Sequence, residues 1–357
     1  MRVWGTSSGS ESGPVTVILL LVLCVLLLTA GAHPAPTAVP AKGEDDGMPV
    51  LRDAADAAGE VAYTAVRELR GPEGVPRDGL DVRVVNRPGE GLAMSRTGTE
   101  EGAFVVRDSS ALDTLDERLL AMLEETYVVT DVGMDGIGGR RARLVEARRS
   151  DSTVAGRFWV DSETALLLGR VVYDRTEEVA FSSRLTDLRF DTEGWPEGAE
   201  GGSPWGDDLD HGERNRLRDA GWELPEYLTW NLRLVDARST DHGGERVVHT
   251  IYSDGLSQIS VFSQRGKLGE AHPSTDRNGY AGTGTGGEGV TRGHETIFGG
   301  GMGQYQSMWQ ADGFVYTVLA DAPAGLASSA VTALPGPEES SGFWPRVRRG
   351  LSRLGLV

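Results

Sequence analysis

The only cysteine of the chain, Cys24, lies inside an uncharged apolar run, Val15 to Leu28. Nothing after it can be tied by a disulfide, so whatever the rest folds into is held by apolar burial alone. With 357 residues there is room for two domains of ordinary size, large enough to supply that burial. The run is long for the core of a signal peptide and slightly short for a membrane span. Ala30-Gly31-Ala32 fits the small-x-small pattern that signal peptidase needs. A cleaved signal and a retained anchor both fit, with basic residues favouring an N-in, C-out orientation, and either one exports the chain. Leu23 stands before Cys24, where a lipobox wants Gly, Ala or Ser, so the thiol reads as membrane-buried.

Beyond the run, Gly31 to Met48 is rich in Pro, Ala and Gly and reads as a tether. A short helix is expected over Pro49–Ala58. Alternation then takes over at Val61–Leu69, where Val61, Tyr63, Ala65 and Arg67 share one side. Strands are expected at Leu80–Asn86, Leu92–Arg96 and Ala103–Arg107, separated by Gly/Pro turns. Ser110–Thr126 is the best helix, with Leu112, Leu115, Leu119, Met122 and Leu123 in one stripe and Ser110 or Asp113 as its cap. Five more strands are expected, at Tyr127–Val132, Arg140–Ala147, Ala155–Asp161, Ala165–Tyr173 and Val179–Phe190. The first domain is therefore α+β and antiparallel.

At residues 193–221 the composition shifts to Gly, Glu, Asp and Pro, which reads as a linker with a helical turn or two near Asp210–Ala220. A smaller domain follows, with strands near Leu232–Ala237, Arg246–Ser253, Ser257–Arg265, Thr291–Phe298, Gln306–Ala311 and Phe314–Ala320, and a closing helix over Pro323–Leu334. In the tail, Phe343, Trp344, Val347, Leu351 and Leu354 fall on one helical side, with Arg346, Arg348, Arg349 and Arg353 on the other. A basic amphipathic segment on an acidic protein suits contact with a membrane surface.

No chemistry of catalysis is legible. Gly282, Gly284 and Gly287 match a dinucleotide fingerprint in spacing, but no strand precedes them and no helix follows, so the stretch reads as loop. The six histidines include no pair at metal-binding spacing. Ser257 and Ser260 lie outside any nucleophile-elbow pattern. Lys plus Arg total 35 against 53 Asp plus Glu, a net charge of −18, and such a field repels phosphate backbones, which excludes nucleic acid as a partner. No enzyme, metal or cofactor is expected.

One stretch stands out. Tyr252-Ser253-Asp254-Gly255-Leu256 leads into Ser257-Gln258-Ile259-Ser260-Val261-Phe262. On its own it is a strand end, a turn with Asp254 serving it and Gly255 supplying a positive φ, and a second strand. The run resembles the C-terminal domain of the MucB/RseB family of sigma-factor regulators. In the first domain, Ile137-Gly-Gly-Arg140 and Phe158-Trp-Val-Asp161-Ser-Glu-Thr164-Ala-Leu-Leu167 resemble that family's strand pair, which lipoprotein-carrier relatives share. Ala165 stands where the family usually has glycine.

The resemblance implies an α+β chain in which residues 49–192 form a LolA-like, curved, unclosed antiparallel half-barrel with covering helices. Residues 1–48 are then the signal or anchor and tether, 193–221 the linker, 222–335 a smaller α+β C-terminal domain, and 336–357 the basic tail. Leu112, Leu115, Leu119, Met122 and Leu123 would line a lipid or partner cavity under a lid helix, and Tyr252, Ser253, Asp254 and Gly255 would form the motif turn. Better-known members bind the extracytoplasmic segment of a membrane anti-sigma factor and shield it from proteolysis, with lipid-like signals releasing it. The alternative is a lipid or lipoprotein carrier of the LolA type, in keeping with the first domain alone.

Overall fold

The computed structural model describes residues 45–72, 80–96, 104–106, 115–190, 206–242, 244–267 and 305–336. Two antiparallel sheets carry the fold. The first has ten strands: β1 (Asp45–Asp46), β2 (Tyr63–Arg70), β3 (Leu80–Arg87), β4 (Gly91–Arg96), β5 (Phe104–Val106), β6 (Val128–Ile137), β7 (Arg140–Arg148), β8 (Val154–Asp161), β9 (Leu167–Tyr173) and β10 (Val179–Arg189). Their order is β1-β6-β7-β8-β9-β10-β2-β3-β4-β5, with β1 and β5 at the two edges among the described residues; the sheet is open and curved. Helix α1 (Met48–Glu60), with Pro49 in its first turn, packs against α2 (Glu117–Thr126).

Periodicity explains most of this sheet. Tyr63 and Ala65 are buried as the alternation expects, and Arg67 on the same side is buried too. Phe158, Val160, Val172 and Phe181 point into a core shared with Leu51 and Ala54 of α1 and Leu120 and Leu123 of α2. The stripe on α2 starts later than its sequence suggests. Asp116 caps the helix by accepting from the Leu119 N–H at 2.7 Å, while Ser110, Leu112 and Asp113 lie outside the described residues.

The second sheet contains β11 (Asp207–Asp208), β12 (Arg233–His242), β13 (Glu245–Ser253), β14 (Gln258–Arg265), β15 (Tyr305–Ala311) and β16 (Phe314–Asp321), in the order β11-β12-β13-β14-β16-β15. Its core holds Tyr252, Ile259, Trp309, Tyr316 and Val318, with Ala327, Ala330 and Val331 of α4 (Ala324–Val331). The span 193–221, expected as a linker with a helical turn or two near Asp210–Ala220, is ordered from residue 206 onward. There β11 pairs with β12, and α3 (His211–Asp219) follows with a capping box between Asp210 and Glu213. Leu209 and Leu217 enter the second core; two leucines in an acidic, glycine-rich stretch leave no periodic signal, yet they anchor it. Among the described residues no helix is long and apolar enough to cross a membrane. The apolar run Val15–Leu28, the expected strand 291–298 and the glycine-rich stretch at 282–287 lie outside the described residues.

Candidate functional site

The turn between β13 and β14 is built by its own side chains. Ser253 pairs with Gln258, leaving residues 254–257 to reverse the chain. Asp254 Oδ1 accepts from the N–H groups of Leu256 (3.0 Å) and Ser257 (2.6 Å). Ser253 Oγ donates to the Ser257 carbonyl and accepts from the Gly255 N–H. Gly255 has φ +90°, a conformation that L side chains rarely adopt.

This turn does not end in solvent. It is pressed into the first sheet's half of the molecule. A Cβ at Gly255 would lie 2.3 Å from the Leu123 nitrogen and 2.7 Å from the Leu119 carbonyl oxygen, so the turn rests directly on the backbone of α2. Leu256 leaves its own sheet and joins the core of the other, beside Phe158, Val172 and Phe181. Its seat is made by Gly156 of β8, where a Cβ would come 2.5 Å from Leu256 Cδ1. Arg170 Nη1 donates to the Leu256 carbonyl at 3.4 Å. Burying one leucine in this way contributes about 2 kcal/mol, here across the junction.

Asp254 is the polar centre of the contact, with an exposure of 0 %. Its Oδ2 accepts from the Tyr127 hydroxyl at 2.8 Å and from Asn231 Nδ2 at 3.3 Å. Burial pushes this carboxyl up from the ordinary carboxylate range, against the pull of the hydrogen bonds from Ser257, Tyr127 and Leu256. Burial, and then the neighbouring carboxyl, push the Tyr127 phenol up as well, which keeps it a proton donor. Around this centre, Arg118 donates to the Val235 carbonyl and Arg233 pairs with Glu125 at 2.9 Å.

A cleft of about 630 Å³ opens onto the same contact. Its floor includes Tyr127, Asp254 and Leu256, and one wall is α4 with Pro323 and Leu326. Trp230 stands at its rim with 85 % of its surface exposed. The Leu228 N–H donates to the Leu232 carbonyl at 3.0 Å, and both leucines are buried, so the turn that carries Trp230 is fixed at its base.

The expected cavity residues that are described, Leu115 just before α2 and Leu119, Met122 and Leu123 on it, face two cores. Leu115 and Leu123 belong to the first core, whereas Leu119 and Met122 pack on Val235 and Ile251 of the second sheet. None of these four lines the cleft. Leu112 and the tail residues Phe343, Trp344, Arg346, Arg348, Arg349 and Arg353 lie outside the described residues. Tyr252 is buried and donates its hydroxyl to the Pro225 carbonyl. Tyr127, Gly156, Trp230 and Asn231 were not legible as site residues. One signal pointed to them: Leu256 is a large apolar residue in a turn otherwise made of Ser, Asp and Gly, and such a residue needs a surface to bury it. Among the described residues no cluster of three or more His, Cys, Asp or Glu could hold a metal ion. Asp254 accepts hydrogen bonds on both oxygens, so it fastens the two sheets together.

No family model matches the chain, and no curated protein matches it in sequence. Solved structures do. MucB is similar with a TM-score of 0.50 at 15% identity, over 81% of this chain and 97% of that one. The Pseudomonas aeruginosa MucA/MucB complex is similar with a TM-score of 0.47 at 14% identity, over 83% and 100%. LprF from Mycobacterium bovis is similar over 43% of this chain and 97% of its own, with a TM-score of 0.27 at 12% identity.

Proposed function

From a fold of the MucB/RseB type, we propose that this chain is an extracytoplasmic regulator of sigma-factor signalling that binds the outer segment of a membrane anti-sigma factor. The observation that carries the reading is the second sheet, plugged into the first through the Asp254 turn. A simple carrier needs only the open first sheet, whereas the likeness to MucB runs through both. MucB is itself seen in complex with MucA, and the family resemblance of the two motifs points to the same role. The apolar run Val15–Leu28 would export the folded part, and the net charge of −18 keeps it from nucleic acid. The role is one of binding, without cofactor or catalysis.

The test is a crosslinked pull-down of the tagged full chain from membranes of its source, with proteins and co-eluting lipids identified by mass spectrometry. Enrichment of a single-span anti-sigma factor is the expected result. Lipids or lipoproteins without such a factor would move the assignment to a LolA-type carrier. The basic tail would add a hold on the membrane surface. Reversing Arg346, Arg348, Arg349 and Arg353 to Glu is expected to lower binding to anionic vesicles in a sedimentation assay, and unchanged binding would remove the tail from the proposal.

A further inference from the structure

The cleft beside the Asp254 turn is large enough to receive a ligand segment. Its volume of about 630 Å³ falls within the range of ligand sites. The lining mixes apolar side chains, Leu256, Pro323 and Leu326, with charged ones. Besides Asp254, three of the charged residues that line the cleft are already engaged. Asp151 accepts from the Thr153 N–H and hydroxyl, and Asp174 accepts from the Thr176 N–H and hydroxyl and the Glu178 N–H. Arg149 donates to the carbonyls of Val154 and Tyr173. Arg175 is exposed; it attracts the Asp151 carboxylate, but its guanidinium donates to no acceptor among the described residues.

Trp230 supplies the other half of the argument. Indole is the side chain that gains most from being covered in an interface, and this one is held out at the rim on a turn whose base is fixed. An anchor already in place loses little freedom on binding. We infer that the junction cleft seats an extended polypeptide segment, with an apolar residue of that segment packed on Trp230 and a carboxylate beside it met by Arg175. An acyl chain suits the cleft less well, because it would partly dehydrate Arg149, Asp151, Asp174 and Arg175 while offering them nothing in return. The inference rests on the proposed function, since it locates on the surface the segment that such a partner would contribute.

The experiment separates the two. A photo-crosslinking p-benzoylphenylalanine replaces Trp230 in the full chain, and in a control it replaces Glu163, whose turn joins β8 to β9 at the strand ends opposite the cleft. Both proteins are irradiated in source membranes, and the adducts are mapped by mass spectrometry. The expected result is an adduct from position 230, and not from 163, to the segment outside the membrane of the same single-span protein that the tagged full chain captures. Trp230→Ala and Arg175→Glu should each lower that capture about tenfold, with the melting temperature unchanged because both side chains are exposed. If the partner is captured but crosslinks from 163 alone, or if both variants capture it as well as the parent, the cleft is not the seat while the regulatory function stands. Lipid adducts at 230 would overturn the polypeptide as its occupant. No captured partner in any arm would overturn both the seat and the function.

Discussion

The two motif turns are built alike and used differently. In the first sheet, Asp161 Oδ1 accepts from the N–H groups of Glu163 (3.0 Å) and Thr164 (2.9 Å) and from the Thr164 hydroxyl. In the second, Asp254 Oδ1 accepts from the N–H groups two and three residues on. The free sides of the two carboxylates then diverge. Asp161 meets the guanidinium of Arg140 in a forked pair at 2.5 and 3.2 Å, inside its own sheet. Asp254 meets no cation; it takes a phenol and an amide, and the phenol comes from the other sheet. One turn chemistry thus serves as a local staple in one place and as a fastening between sheets in the other. The partner chosen for the second oxygen decides which.

The largest expected effect comes from the turn that crosses the junction. Gly255→Ala adds a methyl group at φ +90°, pressed against three backbone atoms of α2. It should cost about 3 kcal/mol or more, read as a lowered urea midpoint and as faster proteolysis near residues 206–232. A midpoint within error of the parent would mean that the turn can lift off the helix freely, and the comparison would fail.

A pH series sharpens the contrast next. Burial alone would raise Asp161, yet the bonds from Arg140, Thr164 and Glu163 bring its carboxyl below the ordinary value. A lowered value means stability present above the unfolded carboxylate range near pH 4 and lost as pH falls through the folded value. For Asp254 the direction is upward, so its contribution is present at low pH and lost as pH rises through the folded value. Asp161→Asn should therefore become more destabilising, relative to the parent, as pH rises from about 2 to 5. Asp254→Asn should become less destabilising as pH rises from about 4. Thermal melts of both variants across this range check the signs; slopes of the same sign would show that the two carboxylates share one environment.

Breaking a single bond across the junction has a smaller effect. Tyr127→Phe keeps the ring and removes the hydroxyl that reaches Asp254, leaving a buried carboxylate one donor short, at a cost of about 1–2 kcal/mol. The loss should be additive with Asp161→Asn, whose turn lies in a separate part of the structure, and non-additive with Asp254→Asn, in double-mutant cycles.

Why the staple was easier to read than the fastening follows from distance along the chain. Strand alternation such as Val61, Tyr63 and Ala65 is local, so most strands of both sheets are visible in the sequence, while the two-residue strands β1 and β11, in stretches read as tether and linker, are not. Arg140 and Asp161 both stand in one quoted motif, although their pairing needs β7 and β8 to be neighbours. Tyr127 and Asp254 are 127 residues apart, and nothing in either neighbourhood names the other. The same limit governs the α2 stripe. Leu115, Leu119, Met122 and Leu123 are buried, but periodicity has no means of telling that this segment faces two cores. The adjacency of β10 and β2, which brings the last strand of the first sheet beside an early one, is equally silent in local pattern.

The smallest expected effect tests the local staple alone. Ala165, in the turn after Asp161, has φ +58°, and its N–H donates to the Asp161 carbonyl at 3.0 Å. A left-handed alanine costs about 1–2 kcal/mol, which accounts for the glycine usual at this place in the family that the motif resembles. Ala165→Gly relieves that strain but frees the unfolded chain by about 0.5–1 kcal/mol and removes a methyl group that packs on both halves of the first core. The net gain should be about 0.5 kcal/mol, seen as a slightly higher urea midpoint. Because the Asp161 turn makes its hydrogen bonds and its ion pair within its own sheet, the gain should be the same in the Gly255→Ala background. A gain that disappears there would show that the first turn also feels the junction, and the two motif turns would no longer be independent.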